Sequence, residues 1–389
     1  MRQRKIPAVF MRGGTSKAVM FHRHHLPEDQ SLWPQIFVAA LGAGDATGRQ
    51  LDGLGGGISS LSKVCVIGPP SRADADVDYT FVQLSPKSED IDFSSSCGNM
   101  TAAVGPFAVD EGLVAAVGDR VAVRIHNTNA GQLIISRFPL DEDQAAVDGE
   151  WMVPGVSGQG APVRLEFQYP GGAATGRLLP TGDPVNVLDV VGVGPLEVSM
   201  VDAGNPCVFI AADALGLAGI EMPDVLDAQL ALLNHLEAIR CSASVAMGIS
   251  DSMKNAAKIP GIPKVALVSS AQSAATLSGD LLDESECDIT LRMISVGQPH
   301  RAIPVTGSMC AAIAAQITDT VVNRLCRPAA APDDIRIAHP SGVACVGATV
   351  TQKKGKWVAD NAVLYRTARR LMDGHVYVSA ARTPGLAAD

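Results

Sequence analysis

The sequence repeats itself, and this internal duplication constrains the fold more than any other feature. Three blocks recur in the same order along the 389 residues. In the first pair, residues 11–21 correspond to residues 200–210, and each block is predicted to form a strand, a polar turn with glycine, and a second strand. Because the order of the matching blocks is preserved, the chain is predicted to contain two domains built on one plan.

The second pair of blocks consists of residues 62–67 and 263–268. Each is a short apolar run, rich in β-branched residues, that begins at or next to a lysine, Lys63 in the first copy and Lys264 in the second. Both runs have the length and composition of buried strands. Each copy is therefore predicted to hold an amine at the beginning of a buried strand.

The third pair, residues 97–104 and 306–313, opens the predicted helices 98–111 and 307–323. Small and apolar residues occupy nearly every side of both helices, and a helix that is apolar all round is buried. The segments between the blocks are mostly predicted strands. The predicted fold class is therefore α+β, with two pseudo-symmetric domains that each consist of a β-barrel wrapped around a central helix.

The break between the two copies is predicted at residues 178–185, where proline, glycine and aspartate cluster. This boundary gives an N-terminal domain of residues 1–185 and a C-terminal domain of residues 186–389. The last strand, near residues 376–378, is expected to cross back and complete the first barrel.

Charge and cysteine content argue against several kinds of partner. The formal net charge is −9 and no basic run is present, which argues against binding to nucleic acid or to an anionic membrane. No stretch of about 18 apolar residues is present, so no membrane-spanning helix is predicted. The eight cysteines form no Cys-x-x-Cys pair and no cluster with metal-ligand spacing, so no metal site is predicted. We expect a cytoplasmic protein with free thiols, and a homodimer is the default expectation for an oligomer.

Cys97 lies directly before the predicted helix 98–111, in an N-cap-like position. The free N–H groups and the positive end of the helix dipole favour an anion there, so a thiol at this place is more reactive than usual. Gly98 and Asn99 allow a ligand to approach the backbone closely, and the same N–H groups can hold a carboxylate. Thr306 takes the matching position in the second copy. The alternative is a small buried cysteine used only for packing.

Lys63 is a candidate base. An unpaired ammonium is costly at the start of an apolar strand, so burial favours the neutral amine, which can accept a proton. The glycine-rich segment 53–57 precedes this strand and can admit a ligand beside it. That segment is not a nucleotide-binding loop, because the Gly-Lys-Ser/Thr ending is absent. The alternative is a lysine at a strand end whose amine extends into water.

Several motifs together resemble the methylitaconate isomerase and 2-methylaconitate isomerase family, and the resemblance covers nearly the whole chain. The motifs are RGGTSK at 12–17, QLDGLG at 50–55, SK at 62–63, CGN at 97–99 with 102–106, IHNTN at 125–129, HPSG at 339–342 and RTAR at 366–369. The resemblance implies a diaminopimelate epimerase-like fold with the site between two barrels. It also implies that Lys63 and Cys97 are the proton-transfer groups.

One departure from the pattern of that fold bears on the reaction. Epimerases and racemases with this fold carry a cysteine at both helix starts, whereas this chain has Thr306 at the second. The departure argues against stereoinversion by two thiols and favours migration of a carbon–carbon double bond with a lysine in the site. The predicted activity is an isomerase without a cofactor, acting on a small unsaturated di- or tricarboxylate such as methylitaconate or (methyl)aconitate. Lys63 removes an allylic proton, and Cys97 or Lys63 returns one, so one-base and two-base transfer are both open.

The predicted substrate-binding residues come from the first polar turn, from the start of the second lysine-led strand, from the segment just before Thr306 and from the two helix starts. Backbone N–H groups there can stabilise the charge that develops on a substrate carboxylate, and cations can attract a polyanion to an acidic protein. The residues are Ser16, Lys17, Gly98, Asn99, Lys264, Arg301, Thr306, Gly307 and Ser308.

Other interpretations stay open. Within the same class, the substrate is instead an oxo-acid, as in the 4-oxalomesaconate tautomerases of aromatic catabolism. In a different class, the protein is a hydrolase or transferase that depends on the Cys97 thiol, although no motif places a histidine base beside it. A third interpretation is a tricarboxylate-binding protein without catalysis.

Overall fold

Two burial patterns occur among the strands: residues 163–168 alternate between buried and partly exposed positions, whereas residues 63–68 and 289–295 are buried at every position, as expected for strands covered on both faces. The computed structural model describes residues 3–93, 97–328 and 334–386. The first strands are β1 (Gln3–Gly13), β2 (Ser16–His22), β3 (Lys63–Gly68), β4 (Val77–Leu84), β5 (Ile91–Asp92), β6 (Arg120–Asn127), β7 (Gln132–Asp141), β8 (Gln144–Ala145), β9 (Trp151–Met152), β10 (Gln159–Gly160) and β11 (Val163–Gln168). The later strands are β12 (Asn186–Val190), β13 (Gly194–Ala203), β14 (Asn205–Ala211), β15 (Lys264–Ser270), β16 (Ala274–Ala275), β17 (Leu281–Leu282), β18 (Ile289–Ser295), β19 (Gln298–Pro299), β20 (Ile335–His339), β21 (Gly342–Lys353), β22 (Lys356–Arg366) and β23 (Ala368–Ser379). The α-helices are α1 (Trp33–Leu41), α2 (Gly98–Asp110), α3 (Pro223–Asp227), α4 (Leu230–Ala246), α5 (Met253–Ala256), α6 (Val305–Gln316) and α7 (Val321–Leu325).

The chain divides into two compact units. The first consists of residues 1–166 with 365–389, and the second consists of residues 167–364. The limits of these units fall within β11 and β22, whereas the sequence analysis placed a single boundary between residues 185 and 186. The assignment of the two sequence copies to independent domains stays a prediction.

β23 returns the end of the chain to the first unit. It pairs with β1 in antiparallel orientation along its length, from Gln3 opposite Ser379 to Gly13 opposite Ala368. One face of this strand contributes to an apolar cluster with α1. The segment that the sequence analysis expected to cross back therefore lies beside the first strand.

The two units share one pattern of strand pairing. In the first unit the strand order is β7–β6–β4–β3–β2–β1–β23, with β2 parallel to β3 and β4 parallel to β6. In the second unit the order is β21–β20–β18–β15–β14–β13–β12, with β14 parallel to β15 and β18 parallel to β20. The remaining neighbours in both strand orders are antiparallel. This repeated order confirms the two pseudo-symmetric halves that the sequence blocks predicted.

A buried helix occupies the centre of each unit. α2 contacts strands from across the first sheet, namely β1, β2, β3, β6, β7, β8 and β23, so the sheet curls around it. α6 lies against β13, β14 and β21 in the same way. Residues 100–109 of α2 are all buried, as expected for a helix of small and apolar residues. Within the described ranges, no helix has both the length and the apolar character that crossing a bilayer requires.

The single helix predicted at 307–323 is wrong, because the structure contains two helices there. α6 starts earlier, at Val305, and ends at Gln316, because Ile317 is extended with φ −91° and ψ 113°. Asp319, with φ +70°, lies in the turn that follows. Thr320 then caps α7 by accepting a hydrogen bond from the backbone N–H of Asn323. In the sequence, Thr320 is followed by apolar residues, so it did not indicate that a new helix begins there.

Candidate functional site

Lys63 begins β3 and its side chain lies on the face of the sheet that covers α2. The next residue, Val64, packs on the opposite face in the cluster around α1. Lys63 is only 7% exposed, and its Nζ donates a hydrogen bond to Oε1 of Gln83, the residue directly opposite on β4. The same Nζ lies 5.0 Å from the centre of the Phe81 ring. A neutral amide and an aromatic ring therefore hold the amine.

The Gln83 side chain is fixed in one orientation by its own hydrogen bonds. Its Nε2 donates to the carbonyl oxygens of Ser59, at 3.0 Å, and Ser62, at 3.1 Å. Because both donors of the amide point at carbonyls, Oε1 is left to accept from Lys63. The sequence analysis did not select Gln83, since its role depends on the register between β3 and β4.

Cys97 precedes α2 in extended conformation, with φ −124° and ψ 99°, as an N-cap residue. Its side chain makes no capping hydrogen bond, whereas its carbonyl oxygen accepts from the N–H and the Oγ1 of Thr101, both at 3.0 Å. The residue is half-buried. The start of the helix is thus held by the backbone of Cys97, and the thiol is left for other contacts.

Cys65 connects the two predicted catalytic residues. It follows Lys63 by two positions, so both side chains lie on the α2 face of β3. Burial raises the pKa of the Cys65 thiol, the nearby Cys97 also raises it, and Lys63 opposes the shift. The Cys65 sulfur lies 3.9 Å from the hydroxyl oxygen of fully buried Tyr79, whose pKa burial and the two thiols also raise. Lys63 and Cys97 are thus both near enough to Cys65 for their charges to affect its thiol. Within the described ranges, no three His, Cys, Asp or Glu side chains are grouped as metal ligands.

The hairpin between β1 and β2 packs directly on the start of α2. A Cβ at Gly13 would approach the Asn99 carbonyl oxygen to 2.5 Å, and one at Gly14, where φ is +49°, would overlap the Asn99 side chain. Asn99 donates through Nδ2 to Thr15 Oγ1 at 3.0 Å and accepts at Oδ1 from Arg366 Nε at 3.2 Å. Burial lowers the pKa of Arg366 to about 10. Arg366 thus places a cation at the helix start, which the sequence analysis did not select as a site residue.

Ser16 and Lys17 are neighbours in β2 and therefore face opposite sides of the sheet. Ser16 is buried on the side of Ala18, which lies beside Lys63 in the pairing of β2 with β3. Lys17 lies on the other side, with its Nζ 5.6 Å from the centre of the Phe10 ring. The structure brings Ser16 to the face of Lys63 and does not bring Lys17 there.

Lys264, the first residue of β15, is the counterpart of Lys63 in the second unit. Its Nζ lies 2.8 Å from Ser295 Oγ, and burial lowers its pKa. His300 lies near Lys264. Burial, and to a smaller extent the positive charge of Lys264, lower the pKa of His300 to about 4. Within the described part of the chain, the buried Nε2 of His300 has no hydrogen-bond partner. The second unit therefore has its own buried amine with a neutral hydroxyl partner.

Thr306, Gly307 and Ser308 lie in the first turn of α6. The helix begins one residue before Thr306, which is therefore inside the helix and does not occupy the N-cap position of Cys97 in α2. Thr306 Oγ1 accepts a hydrogen bond from Asn205 Nδ2 at 3.3 Å. Fully buried Ser308 donates its hydroxyl to the Val305 carbonyl at 2.8 Å, so this hydroxyl is used within the helix.

Arg301 directly follows His300 along the chain. Its side chain is 66% exposed and its Nη2 is 2.9 Å from Oδ1 of Asp224. Exposed ion pairs of this kind contribute little to stability. The structure places the Arg301 guanidinium on the surface and directs it to Asp224.

The solved structures that this chain resembles include a named isomerase and a named epimerase. The crystal structure of a methylitaconate-delta-isomerase has a TM-score of 0.91 at 39% identity and covers 100% of this chain and 99% of its own. A hydroxyproline epimerase from Agrobacterium vitis, at 13% identity and a TM-score of 0.52, shares the fold alone and covers 98% of this chain and 93% of its own. The predicted fold class is confirmed, and the chain is an isomerase with the architecture of these two proteins.

Sequence comparison narrows this class. The model of the PrpF protein family matches residues 3–379. The 3-methylitaconate isomerase of Eubacterium barkeri is 40% identical, over 98% of this chain and 99% of the relative. The 2-methyl-aconitate isomerase of Shewanella oneidensis is 36% identical and the 4-oxalomesaconate tautomerase of Pseudomonas putida is 35% identical, each over 97% of both chains. The chain belongs to the PrpF family, and the family predicted from its motifs is confirmed.

Proposed function

We propose that this isomerase moves a carbon–carbon double bond in a small unsaturated di- or tricarboxylate, with Lys63 and Cys97 as its proton-transfer groups. The observation that carries the proposal is the environment of Lys63, an amine bonded to a neutral amide and near enough, like Cys97, to affect the Cys65 thiol. A proton acceptor, a thiol and a helix start with free N–H groups are the parts that proton transfer beside a carboxylate requires.

The proposed reaction conserves every atom of the substrate except for exchange of a proton. Lys63 accepts a proton from the allylic carbon, and the electron pair of that C–H bond forms the new double bond. The charge that develops spreads onto the conjugated carboxylate, where the N–H groups of Gly98 and Asn99 stabilise it. Cys97, or Lys63 itself, then delivers a proton to the carbon at the other end of the allyl system.

The substrate class is supported by charge and by the relatives. Arg366 and the start of α2 place positive potential beside Asn99, as a carboxylate ligand requires. The relatives act, by their names, on methylitaconate, methylaconitate and oxalomesaconate, which are unsaturated di- and tricarboxylates. The methylitaconate and (methyl)aconitate type is the first proposal and 4-oxalomesaconate is the second. Ser16, Lys264, Thr306 and Gly307 stay predicted substrate-binding residues.

We also propose a cytoplasmic location, supported by eight cysteines that are all free thiols. The acidic net charge of −9 supports the expectation that nucleic acid is not a partner. Homodimerisation stays a prediction.

Proton NMR of the wild-type protein with a panel of acids tests this function. The panel contains an itaconate-type acid, an aconitate, a 2-methylaconitate, 4-oxalomesaconate and, as a saturated control, tricarballylate. We expect the vinyl signals of at least one unsaturated acid to be replaced by those of its positional isomer, with no change in tricarballylate. Absence of turnover with every unsaturated acid would contradict the proposal and favour a thiol-dependent transferase or a binding protein.

A further inference from the structure

Three cations stand side by side on the face of the first unit's sheet that is turned away from α2. Lys17 of β2 lies directly opposite Arg12 of β1, and Arg12 lies directly opposite Arg369 of β23. Residues paired in this way project from the same face with their Cβ atoms roughly 5 Å apart, and like charges so placed repel. A row of three cations is therefore electrostatically unfavourable unless an anion binds to it. The chain is acidic overall, so its own carboxylates could have been placed beside these cations to reduce the repulsion.

The contacts of these side chains do not neutralise the row. Arg12 donates through Nη1 to the carbonyl oxygens of Gly14 and Thr367 and to Thr367 Oγ1, each at 3.0 Å. Lys17 lies over the Phe10 ring. Burial, and then the charge of Arg369, lower the pKa of Arg12, as expected for a partly buried guanidinium beside a second cation. The groups that contact Arg12 and Lys17 in this way are all neutral. They fix the positions of the two cations but do not neutralise their charge.

A cavity of about 260 Å³ lies against two of the three cations. Its lining includes Arg12, Arg369, Thr367 and the loop 156–160. Gly160 of this segment lies beside Thr367, the residue that holds Arg12, since a Cβ added at Gly160 would be at an ordinary contact distance of 3.5 Å. Exposed Asp148 also lines the cavity and is the acidic residue of the lining. Two guanidinium groups thus share one polar concavity with a backbone loop.

We propose that this cavity is an anion-binding site for a small molecule with two or more carboxylate or phosphate groups, held by Arg12 and Arg369 with Lys17 adding charge. A planar guanidinium binds a carboxylate or a phosphate through two parallel N–H groups, so two of them suit a ligand with two such groups. The site is separate from the Lys63 cluster, because Arg12 and Lys63 lie on opposite faces of the sheet. It goes beyond the proposed reaction and does not depend on it.

Isothermal titration calorimetry at fixed ionic strength tests the site, with citrate and inorganic pyrophosphate as separate probes. Arg369→Gln is the main variant, since Arg369 is exposed and its loss leaves Arg12 and Thr367 bonded. We expect binding at this site to weaken by about tenfold or more in Arg369→Gln and by a smaller factor in Lys17→Gln. Lys5→Gln removes one exposed charge from the same strand outside the row and should change nothing.

The double variant Lys63→Ala/Cys97→Ala separates this proposal from the proposed function. Binding that persists in the double variant and falls in Arg369→Gln supports the site, whatever the reaction is. A preference for citrate identifies carboxylates as its ligands, and a preference for pyrophosphate identifies phosphates. Affinity that is equal in wild type and Arg369→Gln, or binding that disappears only in the double variant, would overturn the site.

Discussion

Gln83 faces Lys63 across β3 and β4 and accepts a hydrogen bond from its amine. Because the acceptor is a neutral amide, the amine is not held in its charged form by an ion pair. Gln83→Glu adds a carboxylate that stabilises the ammonium, so kcat/KM at pH 7 should fall by roughly tenfold or more. Gln83→Leu removes the acceptor and should lower kcat/KM at all pH values. Superimposable pH profiles of wild type and Gln83→Glu would show that this contact does not control the base.

The exposure of the two clustered thiols predicts their reactivity. Cys97 is half-buried at a helix start, whereas Cys65 is fully buried and burial raises its pKa. Iodoacetamide should therefore modify Cys97 and spare Cys65 in the folded protein, and a bound unsaturated acid should slow the modification of Cys97. Peptide mass spectrometry after timed quenching measures both sites. Equal labelling of the two residues would argue against a ligand site at the start of α2.

Gly14 should be among the least replaceable residues of the hairpin. Gly14→Ala combines a positive φ of +49° with an overlap between the new Cβ and the Asn99 side chain. Gly131→Ala is the matched control, because Gly131 has φ +64° but nothing within 4 Å of the added Cβ. We expect a loss of about 1 kcal/mol in the free energy of unfolding for Gly131→Ala and about 3 kcal/mol for Gly14→Ala. Urea unfolding measures the difference, and equal losses would mean that the hairpin does not pack tightly on Asn99.

His300 should make the stability of the protein depend on pH below neutrality. Its pKa is lowered by burial to about 4, so the unfolded chain, where a histidine titrates near 6.5, binds the proton more readily than the folded chain. Stability from this residue is complete above pH 6.5 and declines as the pH falls towards 4. Between pH 8 and pH 5, wild type should lose about 2 kcal/mol more free energy of unfolding than His300→Asn. Urea midpoints at the two pH values test this, and parallel losses in both proteins would contradict it.

The main features of the fold could be predicted because they depend on local sequence. Blocks with strand–turn–strand patterns became β1–β2 and β13–β14, and the runs that begin at Lys63 and Lys264 became β3 and β15. The helices α2 and α6 are buried because small and apolar residues occupy nearly all of their sides, which leaves no polar face for water. The break between α6 and α7 was missed, since it depends on the extended conformation of Ile317 and the left-handed conformation of Asp319 rather than on an apolar pattern.

The site was predictable only in part, because long-range pairing completes it. Lys63 and Cys97 were selected from their local positions, at a strand start and a helix start. Gln83 contacts Lys63 because of the register between β3 and β4. Arg366 contacts Asn99 because the end of the chain returns to the first unit. Local sequence reveals neither contact. Lys17 was selected with Ser16, yet adjacent residues of a strand face opposite sides.

Solvent exchange at the substrate carbon tests the central claim most directly. Wild type, Lys63→Ala and the control Lys5→Ala would be incubated in D₂O with the acid that wild type converts, and deuterium at the allylic carbon would be followed by proton NMR. We predict that wild type and Lys5→Ala incorporate deuterium as the double bond moves. We predict that Lys63→Ala loses both processes by a factor of at least about 100, the usual contribution of a general base. Exchange at the wild-type rate in a folded Lys63→Ala protein would contradict the account.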